Sequence, residues 1–219
     1  MAEIVPLRLG RSTAYLVKGA RPILVDCGTP GNEERIVERL REAGIAPGDL
    51  TLIVVTHVHS DHVGSLAAMK ALSDAPVVVH TKEAGALRTG RNAALVPNSL
   101  LARVAEPLLK LQKLLPGVKP ELLIDGVFDL GEYGVAGEIA PTPGHTPGSL
   151  SVVIEGGEAI IGDLVMGGLL RSRVPHLPML ASDVDEVRAS IRVLLDRGVT
   201  RFHAAHGGPF SLEALRVLL

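Results

Sequence analysis

Four side chains able to bind a metal ion fall within six consecutive positions, His57, His59, Asp61 and His62, in the run Thr56-His57-Val58-His59-Ser60-Asp61-His62. Alternate side chains of extended backbone share a face, so His57 and His59 point the same way and two imidazoles could grip one ion. Asp61 and His62 come one turn of loop later and can face a second ion. Neutral imidazole and carboxylate bind divalent cations of this class at about 2.0–2.2 Å. A lone histidine is ordinarily a satisfied core or surface residue, whereas a cluster this dense reads as a ligand set.

The elements around the cluster are those that would hold it still. Leu52-Ile53-Val54-Val55-Thr56 reads as a strand buried on both faces. A helix follows from Val63 or Gly64 to about Leu72, then a strand, Val77-Val78-Val79, with His80 at its end. The cluster therefore sits in a strand-to-helix loop, a common place for sites in α/β folds. Upstream, residues 14–17 and 22–26 read as strands. Gly28, Pro30 and Gly31 break the second, and Asn32 can cap a helix through Ile36, Val37 and Leu40 that Gly44 ends. Between about 95 and 123, Leu100, Leu101, Val104, Leu108, Leu111, Leu114 and Leu115 fall at helical intervals. Pro107 should kink that helix, and Pro116-Gly117 should close it. In the second half, residues 152–154 and 159–161 flank a Glu155-Gly156-Gly157-Glu158 turn, a hairpin signal. A helix over 183–196, a strand over 200–203 and a final helix capped by Ser211 complete the chain. Asp26 and Asp163 each end a strand. Alternating strands and helices in two halves predict a layered α/β architecture in a single domain.

Composition narrows the function classes. Of 219 residues, 47% are apolar but only 2% aromatic, so the core must be aliphatic. The net charge of -2, with no dense Lys/Arg run, argues against a nucleic-acid partner and leaves a small-molecule substrate as the expectation. The single cysteine, Cys27, permits no internal disulfide and reads as a small buried apolar residue. No window approaches the roughly 20 apolar residues of a membrane span. The segment Met1 to Pro6 lacks the pattern of a signal peptide, so a cytoplasmic location is expected.

The run His57-x-His59-x-Asp61-His62 resembles the signature of the metallo-β-lactamase superfamily, and its other motifs can be found in order. Asp26 is similar to the strand-end aspartate of the first motif. Thr142-Pro143-Gly144-His145-Thr146-Pro147-Gly148-Ser149 is similar to the segment that supplies the third histidine of the first metal. Gly162-Asp163 resembles the bridging-aspartate motif, and Ala205-His206-Gly207-Gly208 the last ligand loop. The resemblance spans about residues 13 to 210. It implies a four-layer αββα sandwich with the metals at one edge between two sheets, as one domain over 1–219 with the apolar helical insertion at 95–123. It also implies that His57, His59 and His145 hold metal 1, that Asp61, His62 and His206 hold metal 2, and that Asp163 bridges them. Asp26 would orient a ligand by hydrogen bonding.

What the resemblance implies chemically is a hydrolase whose two divalent ions activate water against an ester-like bond: thioester, lactone or phosphoester. Asp61 is both a ligand and the carboxylate best placed to move protons. Zinc heads the list of metals, and iron, manganese or cobalt also suit an all-N/O donor set. Two further readings stand beside it: a mononuclear iron oxidoreductase similar to persulfide dioxygenases, using His57, His145 and Asp163, and a β-lactam hydrolase. A binding protein that has lost catalysis is a weaker reading, since no ligand is missing. With thirteen residues following His206, the C-terminal helical domain of the main glyoxalase II enzymes is expected to be absent. Substrate choice would then fall to two segments. The apolar stretch at 95–123 reads as core packing or a homodimer contact, or as a lid. The segment after Asp163 carries Arg171, Arg173 and His176, which could hold an anionic group. His80 and His203 read as structural.

Overall fold

The structure, a computed structural model, describes residues 2–93, 96, 115–167 and 173–219. Six strands form the first sheet in chain order: β1 (Glu3–Arg8), β2 (Thr13–Lys18), β3 (Pro22–Val25), β4 (Leu52–Val54), β5 (Val77–His80) and β6 (Leu122–Ile124). β1 to β3 are an antiparallel meander, and β3 to β6 run parallel. The second sheet starts with the antiparallel run β7 (Phe128–Asp129), β8 (Gly137–Pro141), β9 (Leu150–Ile154) and β10 (Glu158–Ile160). β11 (Met166–Gly167) and β12 (Pro175–His176) then form a separate ladder. β13 (Arg201–His203) returns parallel to β10, and β14 (Phe210–Ser211) closes the second sheet in the order β14-β13-β10-β9-β8-β7.

Side-chain alternation along these strands feeds three separate cores. Leu16, Leu24, Ile53, Val77 and Val79 meet Ile36 and Leu40 of α1 (Glu33–Glu42) and Leu66 and Met69 of α3 (Leu66–Ser73). The opposite faces, with Val17, Ile23, Val25, Leu52, Val54 and Val78, pack on Ile139, Leu150, Val152, Ile154 and Ile160 of the second sheet. Ala159, Ile161 and Phe202 turn outward onto Val187, Ile191 and Leu194 of α5 (Val184–Asp196) and Leu215 of α6 (Leu212–Arg216). Three cores between four layers make the expected αββα sandwich, and the cores are almost wholly aliphatic. β3 and β4 run parallel, as do β10 and β13, and β8 lies two antiparallel steps from β10. The loops carrying Asp26, His57, His145, Asp163 and His206 therefore all leave C-terminal strand ends.

Several elements differ from the sequence reading. The helix expected from Val63 begins at Ser60 and is broken into α2 (Ser60–Val63) and α3, so Asp61 and His62 ride a helical turn and not a loop. Asn32 occupies the N-cap position of α1 without capping it, because its amide turns back to the Thr29 carbonyl and hydroxyl. β1 escapes a pattern search because its exposed Glu3 and Arg8 and its internal Pro6 blur the alternation of an edge strand. Leu122–Ile124, at the end of the apolar stretch and beyond the Pro116-Gly117 that closes its expected helix, is an edge strand paired with β5, and Leu115 packs against the first core. The other leucines of that stretch, with Val104 and Pro107, lie outside the described residues. Short α4 (Ala84–Thr89) completes the helices, and none among the described residues is long and apolar enough to cross a membrane.

Gly144 shows how tightly the second sheet's loops are fitted. It has φ +131°, and a Cβ there would lie 2.4 Å from the backbone nitrogen of Val187 in α5. Gly144→Ala should cost about 1–3 kcal/mol through the clash and the disfavoured backbone. A denaturant midpoint equal to that of the parent protein would contradict this packing.

Candidate metal centre

Three imidazole nitrogens form a small triangle at the mouth of the sandwich. His57 Nε2 lies 3.0 Å from His59 Nδ1, and His145 Nε2 lies 3.2 Å from the first and 3.1 Å from the second. Their hydrogen bonds fix which nitrogens face inward. His145 Nδ1–H donates to the Leu180 carbonyl at 2.7 Å. Thr56 gives its hydroxyl proton to Asp26 Oδ2 at 2.7 Å, so its oxygen accepts from His57 Nδ1–H at 3.2 Å. Both rings thus spend their proton outward and aim a lone pair into the triangle. His59 is the exception, because its Nε2 is buried with no hydrogen-bond partner.

A second cluster adjoins the first. His62 Nδ1–H donates to Asp26 Oδ2 at 2.8 Å, leaving Nε2 facing Asp163 Oδ1 at 3.4 Å. His206 Nδ1–H donates to the Arg11 carbonyl at 2.9 Å, leaving Nε2 facing Asp61 Oδ2 at 3.2 Å and Asp163 Oδ2 at 3.4 Å. Asp163 Oδ2 also lies 3.8 Å from His145 Nε2, so its carboxylate stands between the clusters. His62 Nε2 and Asp163 Oδ1 are buried without a hydrogen-bond partner.

These groups fit divalent cations. A tetrahedral ion with about 2.0–2.1 Å bonds to nitrogen holds its ligands roughly 3.3 Å apart, within a few tenths of an ångström of the triangle found here. Lone pairs facing one another across 3 Å repel unless a proton or a cation lies between them, and the unpartnered His62 Nε2 and Asp163 Oδ1, buried against each other, mark the same need. The ligand atoms of His57, His59 and His145, of His57, His62 and Asp163, and of Asp61, His62 and His206 each lie within 4.8 Å of one another. The structure therefore brings together all seven residues picked from the sequence.

The two clusters differ in charge. Burial, reinforced by the neighbouring imidazoles, holds His57 well below the ordinary histidine value and His59 at about 3, and burial lowers His145, so these rings are neutral. Burial also works to lower His62 and His206, but the surrounding carboxylates outweigh it. Asp163, Asp26 and Asp61 hold His62 well above its ordinary value, and Asp163 and Asp61 bring His206 to about 10. Burial would raise Asp163 and Asp61, yet the imidazoles pull Asp163 well below the carboxylate range and Asp61 to about 2. Without a cation, protons fill the second cluster, and a cation must displace them.

Asp26 sits beneath both clusters with φ +62°, a left-handed conformation that costs energy in any residue but glycine. Its Oδ1 accepts from the Thr56 N–H at 2.9 Å while Oδ2 takes His62 and the Thr56 hydroxyl. A second buried carboxylate, Glu83, was not evident in the sequence. Its Oε2 accepts from the Val58 N–H at 2.9 Å, between His57 and His59, and it also receives bonds from the Thr146 hydroxyl and the Gly148 N–H beside His145. A Cβ at position 148 would lie 2.5 Å from Glu83 Cγ, so glycine is what admits the carboxylate. Glu83 thereby ties together the two loops that form the histidine triangle. Its only signal in the sequence is an acidic residue shortly after a buried strand, which is common on solvated surfaces.

A cavity of about 250 Å³ opens onto the clusters, walled by Arg11, His59, Asp61, His145, Asp163 and His206 together with Met166, Met179 and Leu180. Arg171 lies outside the described residues. Arg173 is exposed and His176 half-buried, its Nδ1 bonded to the Leu177 carbonyl, and neither lines the cavity. His80 accepts from the Lys82 N–H and His203 pairs with Glu158 at 2.6 Å, both away from the clusters.

Comparison with known proteins agrees with this geometry. A family model described as the metallo-beta-lactamase superfamily matches residues 7–206. A probable metallo-hydrolase of Methanocaldococcus jannaschii is 30% identical over 201 residues, covering 90% of this chain and 87% of that protein. A probable metallo-hydrolase of Bacillus subtilis is 29% identical over 160 residues, 72% of this chain and 68% of the other. Among solved structures, a subclass B3 metallo-beta-lactamase of Bradyrhizobium japonicum aligns with TM-score 0.65 at 21% identity, over 94% of this chain and 75% of that one.

Replacing Glu83 tests the link between the two histidine loops. In Glu83→Gln an amide N–H₂ meets backbone and hydroxyl donors, and metal affinity should fall about 10- to 100-fold with the secondary structure retained. Unchanged affinity, measured by competition with a chromogenic chelator, would contradict a positioning role.

Proposed function

The chain belongs to the metallo-beta-lactamase superfamily, and from that membership we propose that it is a dinuclear metallo-hydrolase of an ester-like bond: a thioester, lactone or phosphoester. The observation that carries the reading is the convergence of seven donors: four imidazoles whose Nδ1–H is bonded outward, the His59 ring, and the carboxylates of Asp61 and Asp163. His57, His59 and His145 would hold one ion, Asp61, His62 and His206 the other, and Asp163 both. Zinc suits the imidazole-rich triangle best, and iron or manganese suit the same N/O set. Bound there, two such ions supply Lewis acidity, acidifying water and polarising the oxygen of the scissile bond.

The chain's own residues do the rest. Asp26 and the carbonyls of Leu180 and Arg11 lock His62, His145 and His206 in the tautomer that offers a lone pair inward. Asp61 lines the cavity and is held ionised, which makes it the group placed to take a proton from water and deliver it to the leaving atom. The apolar wall of Met166, Met179 and Leu180 displaces water from one side of the substrate. A mononuclear iron centre would use His57, His145 and Asp163 and leave Asp61, His62 and His206 without a role. Their assembly supports the two-ion reading. The likeness to β-lactamases at 21% identity is one of fold.

Protein loaded with zinc should hydrolyse at least one member of a panel of thioesters, lactones and phosphoesters. Activity should disappear on chelation, return with zinc, and be absent in His59→Ala, which should keep its fold and lose metal. Failure to cleave any such ester at any metal loading, or thiol-dependent O₂ uptake by a one-iron protein, would overturn the proposal.

A further inference from the structure

Three hydrogen bonds tie the turn between β1 and β2 to the segments that carry the second cluster. Leu9 N–H closes the turn onto the Ser12 carbonyl at 3.0 Å. Ser12 Oγ donates to the Asp61 carbonyl at 2.6 Å, the Arg11 carbonyl accepts from His206 at 2.9 Å, and Thr13 N–H donates to the Ala205 carbonyl at 2.9 Å. Two proposed ligands thus hold the turn, His206 at the Arg11 carbonyl and Asp61 through the neighbouring Ser12 hydroxyl. The Arg11 guanidinium is left over. Among the described residues no carboxylate pairs with it, and it is the one lysine or arginine lining the cavity.

An exposed arginine on a floppy tip would ordinarily be solvated. Here the backbone is immobilised beside the reacting centre, so less entropy is lost when the planar fork engages an oxyanion. Met166, Met179 and Leu180 make one side of the wall apolar, and Thr29, Ser60 and Asn92 line the cavity as well. Met179 stays 51% exposed at the cavity, and the nearby Val96, whose carbonyl holds the Ala181 N–H, is 41% exposed. Resting on the dinuclear hydrolase reading, we propose that Arg11 holds an oxyanion of the substrate. The substrate is then a small ester that carries a carboxylate or phosphate group at one end and an apolar limb that lies along Met166, Met179 and Leu180. The cavity of about 250 Å³ restricts it to a compact molecule.

The test uses zinc-loaded full-length protein and three matched esters that differ only in a remote group: a carboxylate, a phosphate and a neutral amide. Loss of Arg11 in Arg11→Ala should raise KM for the preferred anionic ester about 10- to 100-fold, the worth of a charge-assisted hydrogen bond, and raise that of the neutral ester far less. Arg11→Lys should recover part of the loss. The anion preferred by the parent protein tells carboxylate from phosphate. Equal losses on anionic and neutral esters, or an anion preference that survives Arg11→Ala, would overturn the assignment. Binding of inorganic phosphate by calorimetry gives a readout without turnover, and affinity equal in the parent and Arg11→Ala proteins would also overturn it. If no ester is cleaved at all, the hydrolase reading fails instead, while the phosphate comparison still decides whether Arg11 binds oxyanions.

Discussion

Imidazole lone pairs aimed at one another across about 3 Å are the constraint on which the rest of this structure depends. His57, His62, His145 and His206 each commit their one neutral N–H to an outward acceptor: Thr56 Oγ1, Asp26, the Leu180 carbonyl and the Arg11 carbonyl. Packing that many lone pairs and two carboxylates into a buried space is unfavourable until cations or protons fill it. The fold must therefore impose the arrangement. Two sheets buried on both faces supply rigid C-terminal strand ends, and three aliphatic cores hold the sheets in register. Asp26 in its left-handed conformation and Glu83 between two loops convert that rigidity into fixed ring orientations.

The two clusters meet the same electrostatic problem differently. The triangle of His57, His59 and His145 holds neutral rings, because burial and mutual repulsion exclude protons. The cluster of Asp61, His62, His206 and Asp163 can satisfy itself with protons shared between imidazole and carboxylate. An ion entering the first cluster would meet empty lone pairs, whereas one entering the second would compete with protons. Asp61, the carboxylate proposed to move protons, belongs to the cluster whose imidazoles hold protons in the absence of a cation.

Much of this was legible in the sequence for reasons that can be named. His57, His59, Asp61 and His62 are close along the chain, so their density alone marks them. His145, Asp163 and His206 are distant in sequence and were found by resemblance, in loops rich in Gly and Pro. The buried strands β4 and β5 announce themselves as apolar runs, and the β9–β10 hairpin by its Gly156-Gly157 turn. What stayed hidden is what only tertiary contact creates. Glu83 and Ser12 look like solvated residues until the loops they bind are folded against them. Arg11 has no motif, and its carbonyl meets His206 across 195 positions. β6 is an edge strand too short for its pattern to separate it from the leucine-rich segment before it.

The most direct measurement is a calorimetric zinc titration of chelator-stripped protein at neutral pH, in two buffers of different ionisation enthalpy. His206, at about 10, and His62, held high beside Asp163, are protonated at neutral pH and must give up protons to bind. The expected result is two ions per chain with net proton release, and affinity for the more weakly held ion that falls as pH is lowered. Saturation below two ions per chain, or uptake with no protons released, would contradict the two-seat centre.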